Sequence, residues 1–158
     1  MSNRDVFTGL YKKLFLFNEI QKRIDRNENF QVAMIDLNDF KQVNDYYGHV
    51  SGDKTILFLT SQLLQLEKES TCIAGRLSGD EFLIISVSSF PLRKTLKKIN
   101  EYFGSIVFNN GENDFRTNFA FGIVSSKNYK STTDLYEDVD RKMYNCKRKQ
   151  KHILLYMF

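Results

Sequence analysis

Tryptophan is absent from this chain, proline occurs once, and only two cysteines and two histidines are found among its 158 residues. Cys72 and Cys146 lie inside apolar-patterned segments and read as small core residues, so a reducing cytoplasm is the simplest expected setting. Without histidine or further cysteine at ligand spacing beside them, a structural zinc is not expected. No apolar run approaches the roughly 18 residues of a membrane span, and the N-terminus carries no signal-peptide pattern, so no membrane partner is expected. No repeat, linker or low-complexity tract appears, and the lone Pro91 fits the first turn of a helix.

What is present argues for a packed globule: 42% of the residues are hydrophobic and 14% aromatic. By size this is one domain, residues 1–158, with residues 1–7 as a short lead and no sensor domain of its own. The net charge of +4 is unevenly placed. Arg141, Lys142, Lys147, Arg148, Lys149 and Lys151 crowd the C-terminal segment, as a solvated helix face or as a cationic wall for an anionic ligand.

Periodicity predicts a helix from about Leu10 to Arg26, capped by Thr8, with Leu10, Leu14, Phe17, Ile20 and Ile24 inward. Phe30 to Ile35 reads as a buried strand, Asp39 to Tyr46 as a short helix broken at Gly48, and Ser51 as the cap of a helix reaching Leu66. Thr71 to Leu77 and Phe82 to Val87 form a hairpin around Ser78 to Glu81. A helix striped by Leu92, Leu96, Ile99, Phe103 and Ile106 follows, then a turn at Asn109 to Asn113 and a strand from Phe115 to Val124. A last helix, Ser131 to Lys149, and a strand over His152 to Met157 close the chain. This order predicts an α+β fold of ferredoxin-like or palm type, a mainly antiparallel sheet flanked by helices.

Two segments carry chemistry. Asp36-Leu37-Asn38-Asp39-Phe40-Lys41-Gln42-Val43-Asn44-Asp45 ends the first long strand, and Arg76-Leu77-Ser78-Gly79-Asp80-Glu81-Phe82 spans the hairpin turn. Carboxylates about 4 Å apart repel by roughly 4 kcal/mol at an effective dielectric near 20, so bringing Asp36 and Asp80 together makes sense around a dication. Oxygen ligands of this kind suit magnesium, which combines a few carboxylates with waters and phosphates. Taken alone, Asp80 also reads as a turn former beside Gly79, and Asp53 as an acid in the first turn of a helix. Lys41, Lys147 and Lys151 likewise read as surface lysines or as phosphate contacts.

The two segments, continued by Gly48-His49 and Gly52-Asp53, resemble the GGDEF-type diguanylate cyclases, with Ser78 in place of the first glycine of the signature. The resemblance runs from Asp5 to about His152, since Asp5, Thr8, Gly9 and Leu10 match the family's N-terminal motif. It implies an enzyme that condenses two GTP into cyclic di-GMP, releasing pyrophosphate, as a face-to-face homodimer. It implies metal held by Asp36, Asp80 and Glu81 with the backbone carbonyl of Leu37, the metal being Mg²⁺ or Mn²⁺. Asp80, Glu81 and Lys41 take catalytic roles, Asn44 and Asp53 read guanine, and Ser78, Gly79, Lys147 and Lys151 lie against the nucleotide. Adenine has no donor at N1, so an unpaired Asp53 would disfavour ATP strongly.

Three departures accompany the match. Lysine at 151 replaces the usual arginine and loses its bidentate fork. Lys12-Lys13 replaces Asn-Arg, and Glu69 and Cys72 stand where the product-inhibition motif has arginine and aspartate, so feedback there is not expected. With few residues before the N-terminal motif, a missing sensor or a separate dimerising partner is an open expectation. Alternative readings are a catalytically weak GTP-binding sensor or docking domain, or a palm-fold cyclase of minimal CRISPR-polymerase type making another cyclic nucleotide. A nucleic-acid module is not expected, because the Phe115 to Phe121 face reads as core.

Overall fold

The computed structural model describes the backbone of residues 2–154 and the side chains of residues 2–150. Its centre is an eight-residue strand, β2 (Phe30–Leu37), flanked by β4 (Glu81–Val87) and β7 (Phe119–Ser125), both antiparallel to it. Beyond β4 lie β3 (Ile73–Ser78) and the short β1 (Tyr11–Lys12), which gives the order β1-β3-β4-β2-β7 with only β1 parallel to its neighbour. Helices α1 (Lys13–Asp25) and α5 (Thr132–Leu154) cover one face, and α2 (Phe40–Tyr47), α3 (His49–Glu69) and α4 (Leu92–Ser105) the other. Strands β2, β3, β4 and β7 with α3 and α4 follow the split βαβ plan of ferredoxin-like folds.

The middle of the central strand, Val32 to Ile35, is a continuous apolar run because both its faces are covered. Phe30, Val32 and Met34 pack with Leu16, Ile20, Leu135, Val139 and Met143 on the α1 and α5 side. Ala33, Ile35 and Leu37 alternate with them and pack with Leu59, Leu63, Phe82 and Phe103 on the other. Each such large side chain contributes about 1.5–3 kcal/mol on burial. Asp36 continues the run of Phe30, Val32 and Met34, so the first polar residue of that face emerges beneath the end of α5.

The architecture is the α+β arrangement expected, but several boundaries differ. Tyr11–Lys12 pairs with Gly75–Arg76, which delays α1 to Lys13. Thr8 is therefore no cap: its hydroxyl donates to Asp5 Oδ2 at 2.7 Å and accepts from the Leu10 amide. Leu14 is 73% exposed and Leu16 takes the inward position, while Leu10 is buried ahead of the helix. Helix α3 begins at His49 after Gly48, whose φ of +92° only glycine adopts readily, so Ser51 lies buried within the helix rather than capping it. The expected Phe115 to Val124 strand is split. Phe108–Asn109 (β5) and Asp114–Phe115 (β6) make a separate hairpin around Gly111, and β7 starts at Phe119. The strand expected over His152 to Met157 is helical through Leu154, and residues 155–157 lie outside the described residues.

Candidate active site

The β3–β4 connection is short, and the register slips between Arg76 and Ser78, a bulge of the kind that re-aims side chains next to functional sites. The Leu37 amide donates to the Asp80 carbonyl at 3.1 Å, which ties the turn to the end of β2. Arg76 braces the same turn through Nε and Nη2 to the Gly79 carbonyl, at 3.2 and 2.9 Å, and reaches Asp5 with Nη1. Glu81 stands directly opposite Asp36 across the strand pair, so both side chains share the α5 face.

Asp36 is the centre of this constellation. Lys147, projecting from α5, donates from Nζ to Asp36 Oδ2 at 2.8 Å and to the Leu37 carbonyl at 3.2 Å. Burial nevertheless pushes the Asp36 carboxyl up to about 7, and the negative charge of Asp80 adds to the rise, together outweighing the lysine. Its second oxygen, Oδ1, is buried with no partner among the described residues. A buried carboxylate oxygen left without a partner, beside a second carboxylate and a main-chain carbonyl, suits a hard oxygen-seeking cation. Among the described residues no group of three or more histidine, cysteine or acidic side chains is placed to hold a metal ion. The available set is Asp36, Asp80 and the Leu37 carbonyl, with Glu81 engaged by the Ser78 hydroxyl at 2.7 Å.

Beside these groups opens a cavity of about 240 Å³, with Lys41, Asp80, Tyr144, Lys147 and Arg148 in its lining. The cationic wall expected of the C-terminal helix is thus divided. Lys147 and Arg148 face this cavity, Lys142 and Lys149 line a separate groove against β7, and Arg141 pairs with Asp138. The side chain of Lys151 lies outside those described. Asn44 and Asp53 sit at the α2–α3 junction, away from the cavity lining. A side chain on Gly52 would collide with the Asn44 amide, so the glycine before Asp53 lets the two helices close. Asp53 and the Ser78–Gly79 turn are exposed.

Two contributors were not anticipated from sequence. Asn38, 3% exposed, donates from Nδ2 to Asn118 Oδ1 at 2.7 Å and to Gln150 Oε1 at 2.9 Å, joining the end of β2 to the β7 approach and to α5. Asp39 has a φ of +53°, which turns the chain from β2 into α2 and is tolerated by aspartate better than by most residues. The side-chain types gave a hint, since Asn and Asp favour such positions, but their partners lie far along the chain.

Comparison with known proteins places this arrangement. The family model described as "Diguanylate cyclase, GGDEF domain" matches residues 2–152. The chain belongs to the GGDEF-domain family of diguanylate cyclases. A probable diguanylate cyclase of Escherichia coli K12, DgcJ, is 30% identical over 149 residues, covering 89% of this chain and 28% of that protein. A second, DgcC of the same strain, is 38% identical over 89 residues, 54% of this chain and 24% of its own length. The chain thus spans about a quarter of each of these relatives. Among solved structures, the GGDEF domain of DgcB from Caulobacter crescentus in complex with c-di-GMP superposes with a TM-score of 0.81 at 22% identity, covering 93% of this chain and 88% of that one. Diguanylate cyclase SiaD from Pseudomonas aeruginosa, in complex with its activator SiaC, gives 0.81 at 23% identity, over 94% of this chain and 59% of that one. At these identities the structures speak for the fold.

Proposed function

We propose that this chain is the catalytic domain of a divalent-cation-dependent diguanylate cyclase, which makes cyclic di-GMP from two GTP and releases two pyrophosphates. The observation that carries this reading is the buried Oδ1 of Asp36, without a partner among the described residues, beside Asp80 and next to a cavity lined by Lys41, Lys147 and Arg148. Asp36, Asp80 and the Leu37 carbonyl would hold the cation, Mg²⁺ or Mn²⁺, with Glu81 as a further carboxylate on the same strand face. When bound, that cation neutralises phosphate charge and favours ionisation of the attacking hydroxyl. The lysines and Arg148 receive the triphosphate, and the Ser78–Gly79 turn passes beneath the nucleotide. Asn44 and Asp53 select guanine by accepting from, and donating to, its polar edge. Each protomer holds one GTP, so two must meet face to face for each 3′-hydroxyl to attack the other nucleotide's α-phosphorus as pyrophosphate departs. The free Cys72 and Cys146 accord with a cytoplasmic setting.

A second reading, a GTP-binding domain with little turnover, is favoured by one contact: Ser78 hydrogen-bonds Glu81 and engages one of the site's acidic groups. Pyrophosphate release from GTP and Mg²⁺ separates the two. The cyclase reading expects release that falls by about a hundredfold or more in Asp80→Asn. GTP binding without release, unchanged by that substitution, favours the second.

A further inference from the structure

Lys147 makes its two hydrogen bonds to two of the groups that the metal-site reading above assigns to the cation, the Asp36 carboxylate, through Oδ2, and the Leu37 carbonyl. These bonds use two of the three N–H donors of the ammonium, on a side chain that is only 28% exposed. A magnesium ion sits about 2.0–2.1 Å from its oxygens, so it cannot occupy this corner while the lysine remains there. The ammonium also leaves the corner incomplete, because Asp36 Oδ1 stays buried and unpartnered among the described residues. Lys147 lines the same cavity as Lys41 and Arg148, so phosphates entering that cavity offer it a replacement partner on the end of a flexible stem.

We propose that Lys147 is a resident cation of the metal site: it fills the corner between Asp36 and Leu37 when no metal is bound and moves to the substrate's phosphates when the metal enters. This inference rests on the metal-site reading. It makes metal binding and phosphate binding mutually reinforcing through one side chain, and it leaves the protein with weak affinity for metal alone. The share of time the lysine spends on Asp36 lowers the apparent metal affinity by that fraction. A sheet-borne carboxylate pair is thereby kept from holding a dication unproductively before nucleotide arrives.

The test is Mn²⁺ binding to the whole chain without nucleotide, followed by the electron paramagnetic resonance signal of free Mn²⁺. Lys147→Met is expected to bind Mn²⁺ about tenfold or more tightly than the parent. Arg148→Met removes a charge from the same cavity but makes no contact with Asp36, and is expected to gain far less. Lys147→Arg, which retains charge and donors, is expected to restore weak binding, and thermal melts show that each variant is folded. Asp80→Asn in the Lys147→Met background is expected to abolish the gain. Equal or weaker binding in Lys147→Met, or a gain no larger than that of Arg148→Met, overturns the inference if Asp80→Asn still weakens binding, and the metal-site reading then stands. Binding indifferent to Asp80→Asn in every background overturns the metal-site reading and this inference together.

Discussion

Asp36 is asked to be both buried and charged, and its chemistry follows from that conflict. Burial and the Asp80 charge hold its carboxyl near about 7 in the folded chain, against an ordinary value near 3.9 when unfolded. Between about pH 4 and 7 the folded chain therefore keeps a proton that the unfolded chain has released, so this group's contribution to stability falls as pH rises through that window. Asp36→Asn removes the effect. In chelator-containing buffer, the melting temperature of Asp36→Asn relative to the parent should climb between pH 4 and 7, and a difference flat across that range would contradict the assignment. That Asp36, Asp80 and Glu81 would come together was legible in the sequence because they lie in two compact motifs. Asn38 was not, since its meaning depends on Asn118 and Gln150, 80 and 112 positions further on. Replacing Asn38 with leucine strands those two amides and frees the start of α2. The expected cost is about 1–3 kcal/mol in a denaturant melt, accompanied by lower turnover.

At the scale of elements, the site depends on α5 being laid tightly across the sheet. A methyl group on Gly122 would run into the α5 backbone at Lys142 and Met143, one turn before Lys147. Gly122→Ala should destabilise the fold by about 1–3 kcal/mol and displace the lysine from Asp36, read by thermal melts and by metal affinity. Helix α1 shows why boundaries were harder to read than faces. Leu10, Leu14 and Phe17 have helical spacing, but pairing of Tyr11–Lys12 with β3 takes the first of these out of the helix and turns Leu14 to solvent. Leu16→Ala should cost about 2–5 kcal/mol, whereas Leu14→Ala should stay within about 0.5. A large loss for Leu14→Ala would restore the register read from spacing. Faces set by α3 and α4 were legible because each repeats its apolar residues at helical spacing without interruption. The β5–β6 hairpin was hidden because Phe115 to Ile123 keeps one alternation across the break at Arg116–Asn118.

For the whole molecule, one sheet presents one set of site residues, and the chemistry proposed joins two nucleotides. Specific activity should accordingly rise with chain concentration until pairing saturates, a dependence measurable by initial rates over a dilution series. Constant specific activity at dilutions where light scattering shows only single chains would place both substrates in one chain. No helix among the described residues is long and apolar enough to cross a membrane. The most direct test of the account is the mass of the product formed when the purified chain meets Mg²⁺ with GTP alone, with ATP alone, and with the four nucleoside triphosphates mixed. The account predicts cyclic di-GMP from GTP, the same product from the mixture, nothing from ATP, and nothing from Asp80→Ala. A cyclic product containing adenine would contradict the roles given to Asn44 and Asp53, and cyclic di-GMP formed undiminished by Asp80→Ala would contradict the site itself.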